Sequence, residues 1–241
     1  MSARILAIDT TAEACSVALA VDGEPLAELT NEPRQHAERI LPMVDRLLAA
    51  AGISLSQLDA LAFGRGPGAF TGLRIAAGVV QGLALGADLP AIPVSSLAML
   101  AHRGWREHRW PKCHAAFDAR MGEVYWGSYV ISGQGQVHNR GRECVAAPDQ
   151  LMLQAGVSAE PGWCGVGSGW CYRHALEPLT GPLQGCDPTL TTHALDLLWL
   201  AQTAYAAGDT VMAEQVAPVY LRNQVAAKPK AVGGGGKERN D

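Results

Sequence analysis

The stretches AIDTTAEACSVALAVDG, residues 7–23, and AFDARMGEVYWGSYVISG, residues 116–133, decide the fold. Each is an apolar run that ends in an aspartate, followed by a second apolar run that ends at a glycine turn. The two aspartates, Asp9 and Asp118, are 109 residues apart. Apolar runs on either side of a glycine turn predict a hairpin, and a repeat of this length has the size of a domain. The sequence therefore predicts two copies of one supersecondary unit.

Both copies continue with a third strand and then with alternating helices and strands. The spacing of apolar residues predicts strands at 4–9, 15–21, 24–29, 58–63, 91–94, 112–118, 123–131, 137–145 and 162–166. It predicts helical segments at 35–51, 72–86, from Ser95 onward, 148–153, 170–176 and 192–207. A duplicated β-β-β-α-β-α unit describes an α/β fold of the actin-like class, the class of ASKHA kinases and of ribonuclease H-like proteins.

The repeat also predicts the division of the chain. We expect one domain over residues 1–105 and a second over 106–227, with the last helix packing back on the first domain. Residues 228–241 are mostly lysine, proline, glycine and polar residues, and this composition predicts a disordered tail.

Composition and charge exclude several function classes. Hydrophobic residues are 48% of the chain, which is enough for a core and argues against disorder. The net charge is −4, so the basic surface that grips nucleic acid is absent and any RNA chemistry would need a partner that binds the RNA. The N-terminus does not resemble a signal peptide, and no apolar stretch approaches the roughly 18 residues of a membrane span. We therefore expect a cytoplasmic protein without a membrane segment.

A glycine loop is the first candidate ligand site. Residues Gly64–Thr71 lie between a strand and a helix, where backbone N–H groups could cradle a phosphate. The sequence contains neither G-K-[ST] nor G-x-G-x-x-G. A tight strand-to-helix crossing, in which glycine serves geometry, is therefore the favoured interpretation, and nucleotide binding is the alternative.

The ends of the first strands are further candidates for a ligand cleft. Asp9, Thr10 and Asp118 either face the cleft or help to close their own hairpin turns. No glycine-containing phosphate turn follows Asp9, which counts against a small-molecule kinase or ATPase. Gly165 and Gly167 form a turn that in this architecture often holds adenosine, although any strand-to-helix turn can be rich in glycine.

Metal and nucleophile motifs are absent from the sequence. The chain has seven histidines, none of them four residues from another, so it lacks the H-x-x-x-H and H-E-x-x-H metal motifs. No G-x-S-x-G elbow occurs. We therefore predict no catalytic residue, no metal and no cofactor, and a metallopeptidase is the weakest alternative.

The predicted helix after the glycine loop carries Gly78, Gly82 and Gly86 at four-residue spacing. Each glycine costs a helix interior about 1 kcal/mol relative to alanine. The compensating gain is close helix packing, either inside the domain or against another protein.

Four segments resemble one known family. Residues 66–75, GPGAFTGLRI, resemble the signature G-P-G-[SA]-F-T-G-L-R-[IV] of the TsaB (YeaZ) family. Residues 8–11, IDTT, 36–43, HAERILPM, and 118–125, DARMGEVY, are similar to further motifs of that family. The resemblance covers roughly residues 4–225.

The resemblance implies an actin-like fold, a cytosolic location and a role in making threonylcarbamoyladenosine on tRNA. It implies a complex with the related catalytic subunit TsaD and with the small ATPase TsaE. TsaD binds its metal through an H-x-x-x-H pair, which this sequence lacks. We therefore expect a non-catalytic partner subunit that meets tRNA only through the complex and that could form a homodimer when alone.

We predict the partner surface on the two N-terminal helices, 36–48 and 72–86. The family-like motifs, the apolar face and the glycine face together predict ten residues of the partner interface: His36, Ile40, Leu41, Val44, Leu48, Phe70, Thr71, Arg74, Gly78 and Gly82.

Overall fold

The computed structural model describes residues 3–22, 25–30, 35–153, 157 and 161–222. The first half contains β1 (Ile5–Asp9), β2 (Cys15–Ala20), β3 (Leu26–Thr30), α1 (His36–Ala51), β4 (Ala60–Gly66), α2 (Phe70–Ala87) and β5 (Ala91–Ser95). The second half contains α3 (Ser96–His108), β6 (Lys112–Asp118), β7 (Val124–Ile131), β8 (Val137–Asn139), β9 (Cys144–Ala146), β10 (Cys164–Val166), α4 (Arg173–Thr180), β11 (Gly185–Asp187) and α5 (Ala194–Ala206). The predicted tail, 228–241, lies outside the described residues.

The two sheets have the same topology. The first has the order β3-β2-β1-β4-β5, and the second has the order β8-β7-β6-β10-β11, which is the same order within its own unit. In both sheets the first strand pairs antiparallel with the second and parallel with the fourth. The duplicated actin-like fold is confirmed.

Helices cover both faces of the first sheet. The apolar side chains of α1 and α2 pack on one face, around Leu6, Ile8 and Phe63. On the other face, α5 packs against Ile5 and Ala62, so a helix from the end of the chain completes the core of the first half.

The helix α3 packs mainly in the core of the second half, although its Met99 is buried in the cluster with Ile5 and Ala62 of the first. Its Leu97 and Leu100 pack with Ala115 and Tyr129 of the second sheet. The predicted boundary after residue 105 therefore falls inside a helix. Ser95 begins α3, with its hydroxyl accepting a hydrogen bond from the Ala98 amide at 3.3 Å.

The predicted strand 137–145 is interrupted. β8 and β9 both pair with β7, and residues 140–143 bulge between them. The bulge turns the Glu143 carboxylate inward, where it accepts hydrogen bonds from the Ser95 hydroxyl and from Tyr129 Oη at 2.6 Å. Both partners of Glu143 lie on other elements, so the local pattern of residues did not indicate the bulge.

Two predicted helical segments are wrong in length. Residues 148–153 contain only one 3₁₀ turn, Pro148–Gln150, which ends at Leu151 because that residue is extended. Residues 170–176 divide into a 3₁₀ turn, Ser168–Tyr172, and the start of α4.

By length and composition alone, α2 is long and apolar enough to cross a membrane. The expectation that no apolar stretch reaches that length is therefore wrong. Its Leu73, Ala76 and Val80 are buried within the domain, and this packing accounts for the apolar residues on its inner face.

Candidate functional site

Asp9 ends β1 and is buried at the predicted cleft. Its Oδ1 accepts hydrogen bonds from the Thr11 amide at 3.0 Å and from the Thr11 hydroxyl at 2.6 Å. The Thr11 hydroxyl also lies 3.2 Å from the hydroxyl of Thr192, which directly precedes the segment leading into α5. Asp9 Oδ2 has no partner among the described residues. Burial raises the pKa of Asp9, and the hydrogen bonds from Thr11 and Thr192 offset this only in part.

Asp118 repeats this arrangement at the end of β6. Its Oδ1 accepts a hydrogen bond from the Arg120 amide at 2.9 Å, and its own amide donates to Ser168 Oγ at 3.1 Å. Both aspartates therefore close their own hairpin turns through an amide two residues later. The structure supports the capping interpretation for Asp9 and Asp118.

The first glycine loop packs directly on the turn after Asp9. A Cβ at Gly72 would lie 1.8 Å from the Thr10 carbonyl oxygen, and a Cβ at Gly68 would lie 2.5 Å from the Thr11 carbonyl oxygen. The Thr10 hydroxyl donates to the Gly72 carbonyl at 2.7 Å, and the Ala69 amide donates to the Thr11 carbonyl at 2.9 Å. Because the Thr10 and Thr11 backbone lies against these glycines and already accepts from the Ala69 amide, the glycines serve close packing.

The second glycine turn is filled in the same way. A Cβ at Gly165 would lie 2.5 Å from the Trp170 ring, and one at Gly167 would lie 2.3 Å from Leu100 Cδ2. Gly167 also has a φ of 94°, which favours glycine. Close packing therefore accounts for glycine at both positions, and a ligand role for Gly165 and Gly167 stays a prediction.

The described residues hold no group of three or more His, Cys, Asp or Glu side chains that could bind a metal ion. Asp9 and Asp118 could in principle serve a cation, but Asp9 is sealed under Thr11 and Asp118 is engaged by its own turn. The arrangement of these side chains fixes turns, and it leaves no open pair of carboxylates for phosphoryl transfer.

The predicted partner residues on α1 divide between core and surface. Ile40, Val44 and Leu48 pack in the core of the first half, so naming them as surface residues is wrong. The periodicity marks an apolar face, and that face is covered by the sheet of the same chain. Leu41 is 46% exposed, and His36 Nε2 lies 2.8 Å from the Glu13 carbonyl oxygen, which ties the start of α1 to the first hairpin.

The predicted residues on α2 do lie outside the core. At Gly78, Gly82 and Gly86 an added Cβ would meet nothing within 4 Å in the described part of the chain. We call the surface made by Phe70, Arg74, Gly78, Gly82 and Gly86 the outer face of α2. Phe70 is 52% exposed, and Thr71 beside it is also exposed. Packing inside the domain is therefore excluded as the reason for these glycines among the described residues.

One contributor to this surface was missed from the sequence. The Tyr220 ring lies 5.6 Å from the Phe70 ring, and Arg74 Nε donates to Tyr220 Oη at 3.1 Å. The Arg74 guanidinium stacks over Phe70, 3.9 Å from the ring centroid. Because 146 residues separate Arg74 from Tyr220, no local pattern connects them.

The fold and the candidate site together define an actin-like protein in which Thr11 closes the turn after Asp9 and the described residues leave one face of α2 uncovered. Comparison with known proteins specifies the class further. The family model described as TsaD, tRNA N6-adenosine threonylcarbamoyltransferase, matches residues 28–162. The chain belongs to the TsaB (YeaZ) family of tRNA threonylcarbamoyladenosine biosynthesis proteins.

Full-length relatives support this assignment. The chain is 47% identical to TsaB of Escherichia coli over 93% of its own length and 97% of that protein. It is 43% identical to TsaB of Haemophilus influenzae over 93% of its length and 95% of that protein. A solved structure described as YeaZ from Pseudomonas aeruginosa superposes with a TM-score of 0.84 at 49% identity, over 92% of this chain and 100% of that one.

Proposed function

We propose that this chain is the non-catalytic partner subunit of the enzyme that makes threonylcarbamoyladenosine on tRNA, and that it binds the catalytic subunit TsaD through the outer face of α2. One observation carries the proposal. Gly78, Gly82 and Gly86 stand at four-residue spacing on a helix face that no described part of the chain covers.

Energetics favour an external partner for this face. A glycine inside a helix costs about 1 kcal/mol relative to alanine, and the described fold makes no packing contact at these positions that would offset the cost. Close packing of a second helix would offset it, because a surface without side chains lets two backbones meet. Exposed Phe70 and Leu85 would be buried by the same approach.

The proposed occupant is a protein of the same fold. The TsaD family model matches a region of this chain that includes α1 and α2, so TsaD is expected to have corresponding helices. Related helices can meet across a pseudo-two-fold axis and form a helical bundle. The same reasoning predicts that the isolated chain pairs with a second copy when TsaD is absent.

The remaining parts of the proposal concern catalysis and RNA. The sequence lacks H-x-x-x-H, and the turn after Asp9 is closed by Thr11, so we assign no transfer activity to this chain. Its net charge is −4, so we propose that tRNA is bound only through the complex, with isolated affinity near the non-specific range of about 10⁻⁴ to 10⁻⁶ M. We further propose TsaE as the third component and the cytoplasm as the location.

The decisive experiment replaces Gly82 by leucine. The new side chain would stand where the two backbones should meet, and overpacking of this kind costs about 1 to 3 kcal/mol, or roughly five- to over a hundredfold in affinity for TsaD. Binding is measured by calorimetry, and the free energy of unfolding is measured on the same preparations. Thr203→Leu is the matched control, because Thr203 is exposed on α5, which covers the opposite face of the first sheet.

Lost TsaD binding with a free energy of unfolding that is unchanged or higher would support the interface, because leucine also removes the helix cost of glycine. Unchanged binding in Gly82→Leu would reject it. A tRNA modification assay with TsaD and TsaE, with and without this chain, tests the assigned role, and threonylcarbamoyl transfer by this chain alone would end the non-catalytic interpretation.

A further inference from the structure

The last described residues connect the two halves of the molecule. Val219 donates its amide hydrogen to the Arg65 carbonyl at 2.8 Å, and Tyr220 then packs on Phe70 and Arg74 at the start of α2. We call residues 216–222 the strap. Its first part is attached to the half that presents the outer face of α2.

The far end of the strap is attached to the second half. The Arg222 guanidinium forms an ion pair with Glu123, and its Nη2 also donates to the Arg120 carbonyl at 3.4 Å. Its Nη1 lies 3.8 Å from Met121 Sδ. The Arg222 side chain is only 16% exposed, so this contact is better shielded from water than an ordinary surface ion pair.

The turn that Arg222 holds is conformationally costly. Arg120, Met121 and Gly122 have consecutive φ values of 62°, 57° and 75°, and non-glycine residues rarely adopt this left-handed conformation. The Arg120 carbonyl accepts from the Glu123 amide within the turn, and Arg222 adds a donor from outside. The strap therefore stabilises a strained turn that begins two residues after Asp118.

A second connection joins the halves elsewhere. Glu143 of the second half accepts hydrogen bonds from Tyr129 and from Ser95 at the end of β5. None of these three residues belongs to the outer face of α2 as defined above. The strap differs because two residues, Tyr220 and Arg222, place one end beside that face and the other end on the β6–β7 turn.

We propose that the strap couples docking on the outer face of α2 to the β6–β7 turn of the second half, and that Tyr220 is part of the docking surface. This inference rests on the proposed function. A partner that covers Phe70 and Tyr220 fixes the strap, and a fixed strap holds Arg222 on Glu123. Coupling between two sites is reciprocal, so releasing Arg222 weakens docking although Arg222 is not on the helix face.

The test measures binding of the full-length chain to TsaD in a double-mutant cycle. Arg222→Ala and Glu123→Ala should each weaken binding about threefold to tenfold, and the double variant should be no weaker than either single variant, since one ion pair is lost in all three. The charge swap, Arg222→Glu with Glu123→Arg, should recover most of the affinity. Arg173→Ala, which breaks the exposed pair with Glu177 on α4, is the matched control and should bind as the wild type does.

Hydrogen exchange separates coupling from a merely structural role. TsaD should slow exchange of the Ala119 and Glu123 amides, which close the turn, in the wild type and much less in Arg222→Ala. Equal protection in both chains, or unchanged affinity in Arg222→Ala, would overturn the inference. Absence of binding by the wild type would reject the proposed function. In that case, hydrogen exchange of the isolated chain still tests the contact of Arg222 with the β6–β7 turn, because these amides should exchange faster in Arg222→Ala than in the wild type.

Discussion

Two glycine-rich segments follow one another along the first half and have opposite surroundings. In the loop before α2, Cβ atoms at Gly68 and Gly72 would lie 2.5 Å and 1.8 Å from backbone oxygens. On α2 itself, Cβ atoms at Gly78 and Gly82 would meet nothing within 4 Å in the described chain. The same residue type thus serves the tightest backbone contact in one segment and an empty surface in the other.

The difference in surroundings indicates different roles for the two glycine-rich segments. The loop glycines are required by the fold, because any side chain would push the loop away from the turn after Asp9. The helix glycines cost the fold stability and return nothing within it. A residue that the fold does not need points to a contact outside the described chain, which is why the helix face and not the cleft carries the functional proposal.

The largest effect should come from Gly72→Ala. The methyl group would overlap the Thr10 carbonyl oxygen, and backbone atoms on both sides cannot move aside cheaply. We expect a loss of about 3 kcal/mol or more in the free energy of unfolding, measured by urea denaturation. Gly78→Ala is the control with the same change of side chain and open surroundings. An unchanged denaturation midpoint in Gly72→Ala would show that the loop glycines are not required by the fold.

Asp9→Asn should have a smaller effect of the opposite sign. Burial raises the folded-state pKa of Asp9, so the buried charge penalises the folded state above that pKa and not below the unfolded value of about 4. Asparagine keeps an oxygen acceptor for Thr11. The variant should therefore be at least as stable as the wild type at pH 7.

Unfolding measured from pH 3 upward checks this expectation. The stability advantage of Asp9→Asn should be absent at the acid end and should grow as the pH rises through the interval between the unfolded and folded pKa values. A variant that is less stable at neutral pH would show that the carboxylate itself is needed there. In that case the turn after Asp9 would again be a candidate ligand site.

The smallest effect should be a gain in stability from Gly78→Ala. Alanine removes most of the backbone entropy cost of glycine in a helix, and its methyl group meets nothing in the described chain. We expect a rise of about 0.5 to 1 kcal/mol in the free energy of unfolding, together with weaker binding to TsaD. Ala50→Gly on α1, which is also exposed, is the reverse control and should lower stability by a similar amount. A loss of stability in Gly78→Ala would place a contact on this face within the chain itself.

Local patterns predicted most of the fold. The strand Lys112–Asp118 has the predicted bounds, and the others on the long apolar runs differ by a few residues, because alternation and apolar runs are set by neighbouring residues. The three-residue strand Gly185–Asp187 was missed, since it is too short for a period and is defined by its pairing with β10. The bulge at 140–143 was missed because the partners of Glu143 come from other elements.

The candidate site was predicted less completely than the fold. The glycine spacing of α2 and exposed Phe70 and Arg74 were found from motifs, whereas Ile40, Val44 and Leu48 are core residues. An apolar face on a helix indicates that something covers it, and it does not say whether the cover is the same chain or another one. Tyr220 was missed because its contacts with Phe70 and Arg74 join distant parts of the chain.

By itself, the sequence determined the duplicated architecture and the family, because each is carried by short motifs whose residues lie within a few positions of one another. It left open whether Asp9 and Asp118 close their hairpin turns or face a cleft. Only the tertiary structure decided which glycines are packed and which are bare, and which face of α1 is already covered. It also decided that the strap spans the two halves. These outcomes depend on distances between segments far apart in the chain, and no local pattern of residue types fixes such distances.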